Sequence, residues 1–152
     1  MKIALGSDHA GLPLKLEIIK HLEEKKYDIK DFGTYTKDSC DYPDFGLKVA
    51  EAVAQGDYEF GIIICGTGIG ISISANKVPG IRAALCSDTF SAHACREHNN
   101  ANILALGQRV IGPGLALDIV DTFLNSAFQG GRHAIRVNKI TEIEKKYSKE
   151  SK

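Results

Sequence analysis

The residues with the clearest chemical potential lie in one short segment, residues 65–70 (CGTGIG). Three glycines at alternate positions, between an apolar run and a predicted helix, allow backbone N–H groups to converge on an anion. Cys65 stands at the mouth of this turn, where such N–H groups favour a thiolate. The segment therefore predicts an anion-binding turn whose sulfur acts as a nucleophile or a general base. The alternative is a tight turn that binds no ligand, preceded by an inert buried thiol.

Several known chemistries do not fit this segment. A P-loop would need Gly-Lys-Ser/Thr, which is absent, and a dinucleotide fingerprint would need glycine where Ile71 stands. Asp88 lies at a suitable distance downstream, so a nucleotide site stays open as an alternative. A cysteine phosphatase would need an arginine closing the loop, and the first arginine after Cys65 is Arg82. Hydrolysis of an amide or ester by a cysteine and a histidine remains possible.

Two further pairs of polar residues follow predicted elements. Asp8 and His9 come directly after the first strand, and His98 and Asn99 come at the end of a helix. Each has a structural explanation, since aspartate commonly caps helices and the helix dipole favours a histidine at a helix C-terminus. Their position beside the ends of parallel strands favours a site instead.

Arginines supply the positive charge that an anionic ligand requires. Arg132 and Arg136 are four residues apart, so they share one face of the last helix, close to its N-terminus. Because the helix dipole disfavours cations there, a bound anion would explain them better than a solvated basic face. Arg109, after the fifth strand, is a third candidate. His98 shares its helix with His93 and Cys95, but no further ligands accompany them, so we predict no metal site.

The elements that must position these groups alternate along the chain. Such alternation predicts a three-layer, doubly wound (Rossmann-like) α/β fold with a five-stranded parallel sheet and an extra C-terminal helix. Ligands of such folds bind at the carboxyl ends of the strands, near the switch point. The predicted strands are residues 2–7, 27–33, 58–65, 81–87 and 101–107, and the predicted helices are residues 11–26, 46–55, 70–77, 88–98, 113–126 and 132–147, with 38–45 as a loop.

Composition limits the possible functions. The 152 residues carry 19 Lys and Arg against 19 Asp and Glu, so no net charge favours nucleic acid or an anionic membrane. The length predicts a single domain over residues 1–152. There is no leader-like N-terminus and no apolar run of about 18 residues, so we expect a soluble, cytoplasmic protein. Cys40, Cys65, Cys86 and Cys95 are then expected as free thiols.

Together these groups suit a small phosphorylated substrate that passes through an anionic intermediate. The convergent N–H groups would stabilise an enediolate, and a thiolate is a suitable base for removing a proton next to a carbonyl. At this point the chain resembles the type B ribose-5-phosphate isomerases and their galactose-6-phosphate isomerase relatives, over nearly its whole length. The resemblance is carried by GSDHAG (6–11), DYPDF (41–45), CGTGIGISISANKVPGIRAALC (65–86), EHNNANILALGQR (97–109) and GGRHAIRV (130–137).

The resemblance implies interconversion of ribose 5-phosphate and ribulose 5-phosphate, in the pentose phosphate pathway, without a metal or organic cofactor. It implies a role for each matching residue. Cys65 would be the general base, with Thr67 and the backbone of Gly66, Gly68, Ile69 and Gly70 at the enediolate; Asp8 and His98 would open the sugar ring, with His98 as proton donor; His9, Arg109, Arg132 and Arg136 would hold the phosphate; and Asn99 and Tyr42 would contact the substrate.

The resemblance also implies a homodimer or a tetramer whose active sites are completed by the neighbouring chain. Cys65 together with Ile71 places the sequence in the branch that uses cysteine rather than glutamate. Asn100 and Gln108 depart from the usual Asp and Glu, which leaves substrate preference open. The alternatives are an isomerase of allose 6-phosphate or galactose 6-phosphate and a non-catalytic phosphosugar-binding module.

Overall fold

The sheet of this computed structural model, which describes residues 1–148, is entirely parallel. Its strand order is β2-β1-β3-β5-β4. The chain therefore runs to one side of β1 to form β2 and returns to the other side to form β3, which confirms the doubly wound α/β prediction. The strands are β1 (Lys2–Ser7), β2 (Asp28–Asp31), β3 (Phe60–Cys65), β4 (Ala83–Leu85) and β5 (Ile103–Gly107).

Six helices are formed within residues 1–148. Prolines at positions 13, 43 and 113 lie in first turns, where a missing N–H costs no hydrogen bond. Asp88 caps its helix as expected, because its carboxylate accepts the Ser91 N–H at 2.6 Å. The helices are α1 (Leu12–Glu24), α2 (Tyr42–Ala54), α3 (Ile69–Ala75), α4 (Thr89–Glu97), α5 (Pro113–Asn125) and α6 (Arg132–Tyr147).

Apolar side chains pack on both faces of the sheet. In β3, Ile62 and Ile64 lie with α1, α4 and α5, whereas Ile63 and Cys65 lie with α2 and α3. Alternate side chains of a strand point to opposite faces, so a strand covered on both sides must be apolar throughout. The run of isoleucines in β3 has this cause, and it fixes which face the Cys65 sulfur occupies.

Several predicted element ends differ from the structure by one or two residues, and the bounds of two elements, α2 and β4, are clearly wrong. Residues 38–45 were expected as a loop, but α2 begins at Tyr42 rather than at residue 46. Asp41 is extended, and Pro43 has the fixed φ that a first helical turn accepts, so the polar DYPDF segment starts the helix. The fourth strand spans Ala83–Leu85 instead of 81–87, as an edge strand bonded to β5 on one side. Within residues 1–148, no helix is long and apolar enough to span a bilayer.

Candidate active site

Polar groups meet in a cleft at the carboxyl ends of β1 and β3, the neighbours at the switch point. The register pairs Ser7 with Ile64, so the next residues of the two chain segments, Asp8 after β1 and Cys65 at the end of β3, emerge side by side. The cleft has a volume of about 540 Å³. It is lined by Asp8, His9, Ala10, Tyr42, Cys65, Gly66, Thr67, Ile69, Gly70, Ile73 and Arg109.

The turn after β3 directs a backbone N–H at the cysteine sulfur. Gly68 donates its N–H to Cys65 Sγ at 3.1 Å, and the sulfur is almost buried, with 4% of the residue exposed. Gly68 has a φ of +78°, and a Cβ there would lie 2.5 Å from Leu85 Cδ1 and 2.8 Å from the Leu106 carbonyl carbon. Glycine is therefore required for this turn, both by conformation and by space. A charged sulfur accepts such a bond more strongly than a neutral one.

The turn after β5 is bonded to the glycine turn and brings a cation to it. Gln108 N–H donates to the Cys65 carbonyl at 3.0 Å, and Arg109 N–H donates to the Gly66 carbonyl at 2.9 Å. The Arg109 guanidinium lies against Gly66, where a Cβ would be 3.0 Å from Nη1. One wall of the cleft thus combines N–H groups with a permanent positive charge, which suits an anion.

Asp8 and His9 are held in place by backbone groups. Asp8 is 6% exposed, and its Oδ1 accepts the Gly11 N–H at 3.0 Å. The N-cap residue of α1 is Gly11, so the Asp8 carboxylate bonds the residue that caps the helix rather than a residue of its first turn. His9 Nδ1 accepts the Cys40 N–H at 3.1 Å. The neutral imidazole of His9 therefore carries its proton on Nε2, and that nitrogen is a donor.

A buried lysine holds the segment after β2 against the end of β1. Lys15 of α1 is fully buried, and its Nζ pairs with Asp31 Oδ1 at 2.7 Å and donates to the Thr34 carbonyl. Asp31 also accepts the Gly33 N–H at 2.8 Å. Thr34 N–H donates to the Ser7 carbonyl at 2.6 Å. This clamp fixes the start of the loop that reaches His9 through Cys40.

Tyr42 and Ile73 form an apolar wall that sequence reasoning only partly predicted. Tyr42 opens α2 and packs against Gly70, where a Cβ would lie 2.5 Å from the ring. Ile73 lines the cleft beside Ile69 and was not among the predicted residues. Its spacing of four from Ile69 is the signal that was available, because residues four apart share a helix face.

Four predicted residues lie elsewhere in the chain. Arg132 and Arg136 are exposed on α6, and neither lines the cleft. His98 follows α4 and stacks on His133, with ring centroids 4.4 Å apart. Asn99 lines a separate cavity of about 240 Å³, beside Arg82 and Cys95. Within one chain, Cys65 and the glycine turn therefore lie at the cleft, whereas His98, Arg132 and Arg136 lie away from it.

The remaining thiols differ from Cys65 in their surroundings. Cys86 and Cys95 are buried, with their sulfurs 3.9 Å apart. The hydrogen bond with Cys95, together with burial, raises the pKa of the Cys86 thiol, which keeps it neutral. Cys40 is half-buried beside His9. Within residues 1–148, no group of three or more His, Cys, Asp or Glu is arranged to hold a metal ion.

Comparison with known proteins places this cleft in context. A family model described as Ribose/Galactose Isomerase matches residues 3–140. The ribose-5-phosphate isomerase B of Escherichia coli is 51% identical, over 95% of this chain and 97% of that protein. The Clostridium thermocellum ribose-5-phosphate isomerase B structure is 66% identical, with a TM-score of 0.97, over 97% of this chain and all of that one. A Mycoplasma genitalium ribose-5-phosphate isomerase B with bound ribulose 5-phosphate is 44% identical, with a TM-score of 0.91, over 95% and 96% of the two chains.

Proposed function

The chain belongs to the ribose/galactose isomerase family, and we propose that it interconverts ribose 5-phosphate and ribulose 5-phosphate through an enediolate. The observation that carries the assignment of roles is the Cys65 sulfur, which meets the Gly68 N–H at 3.1 Å inside a polar cleft. The proposal places the protein in the pentose phosphate pathway of the cytoplasm.

Cys65 is the general base of the isomerisation. Its thiolate removes the proton from C2 of the open-chain aldose, and the C–H electrons form the C1–C2 double bond while O1 gains the negative charge. Return of that proton to C1, with transfer of the hydroxyl proton from O2 to O1, gives the ketose. One proton acceptor therefore serves both carbons, and the net reaction is a shift of two hydrogens within the sugar.

The glycine turn stabilises the charge that develops on the oxygens. We assign this role to the N–H groups of Gly66, Gly68, Ile69 and Gly70 and to the Thr67 hydroxyl. In this turn the Gly68 N–H donates to Cys65 Sγ at 3.1 Å and the Ile69 N–H donates to Thr67 Oγ1 at 3.2 Å. Preorganised donors of this kind act most strongly on the enediolate, because the charge is greatest there. Their contribution is to the rate rather than to substrate affinity.

Ring opening precedes isomerisation, since the aldose is mainly cyclic. We assign this step to Asp8 and His98. Asp8 accepts the proton of the C1 hydroxyl, the C1–O bond of the ring breaks, and His98 gives a proton to the released ring oxygen. The burial of Asp8, held by the Gly11 N–H at 3.0 Å, keeps its carboxylate aimed at one position. Cys65 moves the proton between the carbons, Asp8 and His98 move the protons of ring opening, and the remaining hydroxyl proton passes from O2 to O1 within the sugar, so the scheme requires no metal or organic cofactor.

A second copy of the chain completes the site. His9 and Arg109 contribute to the phosphate site from the cleft, whereas Arg132, Arg136, His98 and Asn99 lie away from it in the same chain. Of the residues of α6, His133 and Val137 are buried, while Ile135, Ile140 and Ile143 are about half or more exposed. Ile140 and Ile143 are three residues apart and so share one face of the helix, and neighbouring exposed apolar side chains of this kind mark an interaction surface. We therefore propose a homodimer in which each cleft receives α4 and α6 groups from its neighbour.

Replacement of the base tests the proposed function. We expect Cys65→Ala to reduce ribose 5-phosphate turnover by about 10²- to 10⁴-fold, the usual contribution of a general base. The circular dichroism spectrum and the binding of inorganic phosphate should be unchanged, because the N–H turn and the arginines remain. Cys86→Ala, which removes another buried thiol, is the matched control and should keep its activity. Full turnover by Cys65→Ala would overturn the assignment of the base.

A panel of sugar phosphates tests the substrate. Ribose 5-phosphate is expected to turn over with a higher kcat/KM than allose 6-phosphate or galactose 6-phosphate. A higher kcat/KM for one of the six-carbon sugar phosphates would identify that sugar phosphate as the substrate instead. Tight binding of ribose 5-phosphate without exchange of the C2 hydrogen in heavy water would instead identify a phosphosugar-binding module.

A further inference from the structure

The His98 imidazole is held by another aromatic ring. His98 ends α4, and His133 lies in the first turn of α6; their centroids are 4.4 Å apart and their planes differ by 13°. Among the hydrogen bonds and ion pairs of residues 1–148, none is made by either imidazole, so the ring contact is what fixes the plane of His98. The backbone supports the arrangement, because Gln129 N–H donates to the Glu97 carbonyl at 3.0 Å.

The surroundings of His133 keep it uncharged. It is 9% exposed, and burial, the facing His98 and the neighbouring Arg132 and Arg136 all lower its pKa below the ordinary value. Glu97 of α4 is the acidic group that acts in the opposite direction. The nearby imidazole and the two arginines thus disfavour a positive charge on the His133 ring.

A neutral ring is a suitable support for a proton donor. Its face attracts a neighbouring cation, and it adds no charge that would repel one. Stacking also leaves the edge of the His98 ring, where both nitrogens lie, free of contacts with His133. His133 therefore supports the His98 ring without occupying the His98 nitrogens that would transfer the proton.

We propose that His133 is a positioning residue of the reaction, a neutral aromatic platform that holds the His98 ring at the angle needed to give its proton to the sugar. The inference rests on the proposed function, since it assumes that His98 is the proton donor. It assigns no contact with the substrate to His133. It predicts that a flat ring, and not a second imidazole, is what position 133 requires.

Two substitutions separate these requirements. His133→Phe keeps a flat ring without nitrogens, whereas His133→Leu keeps apolar bulk without a flat ring. For His133→Leu we expect kcat with ribose 5-phosphate to fall by roughly 10- to 100-fold, the scale of a misplaced reacting group, with KM little changed. His133→Phe should have a kcat close to that of the wild type and the same pH profile. If His133→Leu does not fold, His133→Gln replaces it with the same expectation.

The outcomes decide the proposal in both directions. Equal losses in His133→Phe and His133→Leu would show that the nitrogens of His133 are needed, and wild-type kcat in His133→Leu would show that the stack is irrelevant; either result overturns it. The orientation of the His98 ring, measured by NMR from nuclear Overhauser effects between its ring protons and neighbouring residues other than position 133, gives a readout that does not depend on turnover. It should match the wild type in His133→Phe and differ in His133→Leu. If the wild type does not isomerise ribose 5-phosphate, the proposed function fails, whereas the NMR comparison still tests the platform.

Discussion

Cys65 ends β3 and Cys86 directly follows β4, yet their sulfurs meet different groups. Cys65 Sγ accepts a backbone N–H from Gly68 at 3.1 Å, whereas Cys86 Sγ faces the thiol of Cys95 at 3.9 Å. The first environment supplies a hydrogen-bond donor to the sulfur, and the second raises the pKa of the Cys86 thiol. The difference lies in the turn that follows the strand, since burial is common to both residues.

Gly68 offers a direct test of that turn. A Cβ at this position would collide with the Leu106 backbone at 2.8 Å, so Gly68→Ala must shift the N–H away from the sulfur. We expect isomerase activity to fall by about 10²-fold, the scale of a misplaced group near the reacting atoms. Steady-state kinetics with ribose 5-phosphate measure the loss.

Gly56→Ala is the matched control for this substitution. Gly56 has a similar φ of +84°, but a Cβ there would meet nothing within 4 Å. The variant should lose about 1–2 kcal/mol of unfolding free energy through backbone strain and keep its activity. Equal activity in the two variants would mean that the glycine turn does not position the Gly68 N–H for catalysis.

Site residues could be predicted from the sequence where a local pattern marks them. The alternate glycines and the residues directly after strands indicated Asp8, His9, Cys65 and Arg109, and these meet in the cleft. His133 was not predicted, because the sequence places it 35 positions from His98 and no spacing rule connects them. Lys15 was missed because a lysine on an amphipathic helix is usually solvated, and its burial depends on Asp31.

At the scale of elements, the clamp from α1 to the end of β2 links packing to the site. Replacing Lys15 by methionine keeps the apolar length of the side chain but leaves Asp31 and the Thr34 carbonyl without their donor. We expect a loss of about 3 kcal/mol of unfolding free energy, as for the breaking of a buried ion pair. Urea unfolding of Lys15→Met measures the change.

Lys25→Met is the comparison for the clamp. Lys25 pairs with Asp121 at 3.0 Å while 44% of its side chain is exposed, so its loss should cost less than about 1 kcal/mol. Equal destabilisation by the two variants would contradict the assignment of Lys15 as the stronger contact.

The sequence predicted the types and order of the helices and strands more accurately than it predicted where each one begins and ends. Apolar runs covered on both faces, such as β3, have a strong pattern, and proline in a first turn marks helices α1 and α5. The start of α2 was predicted four residues late because DYPDF has the composition of a turn. The length of β4 is set by its pairing with β5 alone, and the sequence of β4 gives no information about how far that pairing extends.

At the scale of the whole molecule, mixed subunits test whether each site draws on two chains. Chains with Cys65→Ala lack the proposed base, and chains with Arg132→Ala and Arg136→Ala lack part of the proposed phosphate site; each should be nearly inactive alone. In a hybrid dimer one of the two sites receives both defects and the other receives none. Equal mixing and refolding should therefore restore activity to about one quarter of the sites. An assay of ribose 5-phosphate turnover after refolding measures the recovery.

A second mixture is the control. Cys65→Ala and His9→Ala both change the cleft itself, so their hybrid contains no intact site and should stay inactive. Absence of recovery in the first mixture would place the arginines and the thiol of each site in the same chain.

The exposed isoleucines of α6 have a consequence for how the proposed dimer would behave on dilution. Of the residues in Arg132–Tyr147, His133 and Val137 are buried within the chain, so α6 has little to stabilise it when a neighbour is absent. In a separated subunit its amides would exchange with solvent hydrogen sooner than those of β3. Specific activity would then depend on enzyme concentration, and subunit association would act as the final step of folding for the part of the chain that carries Arg132 and Arg136.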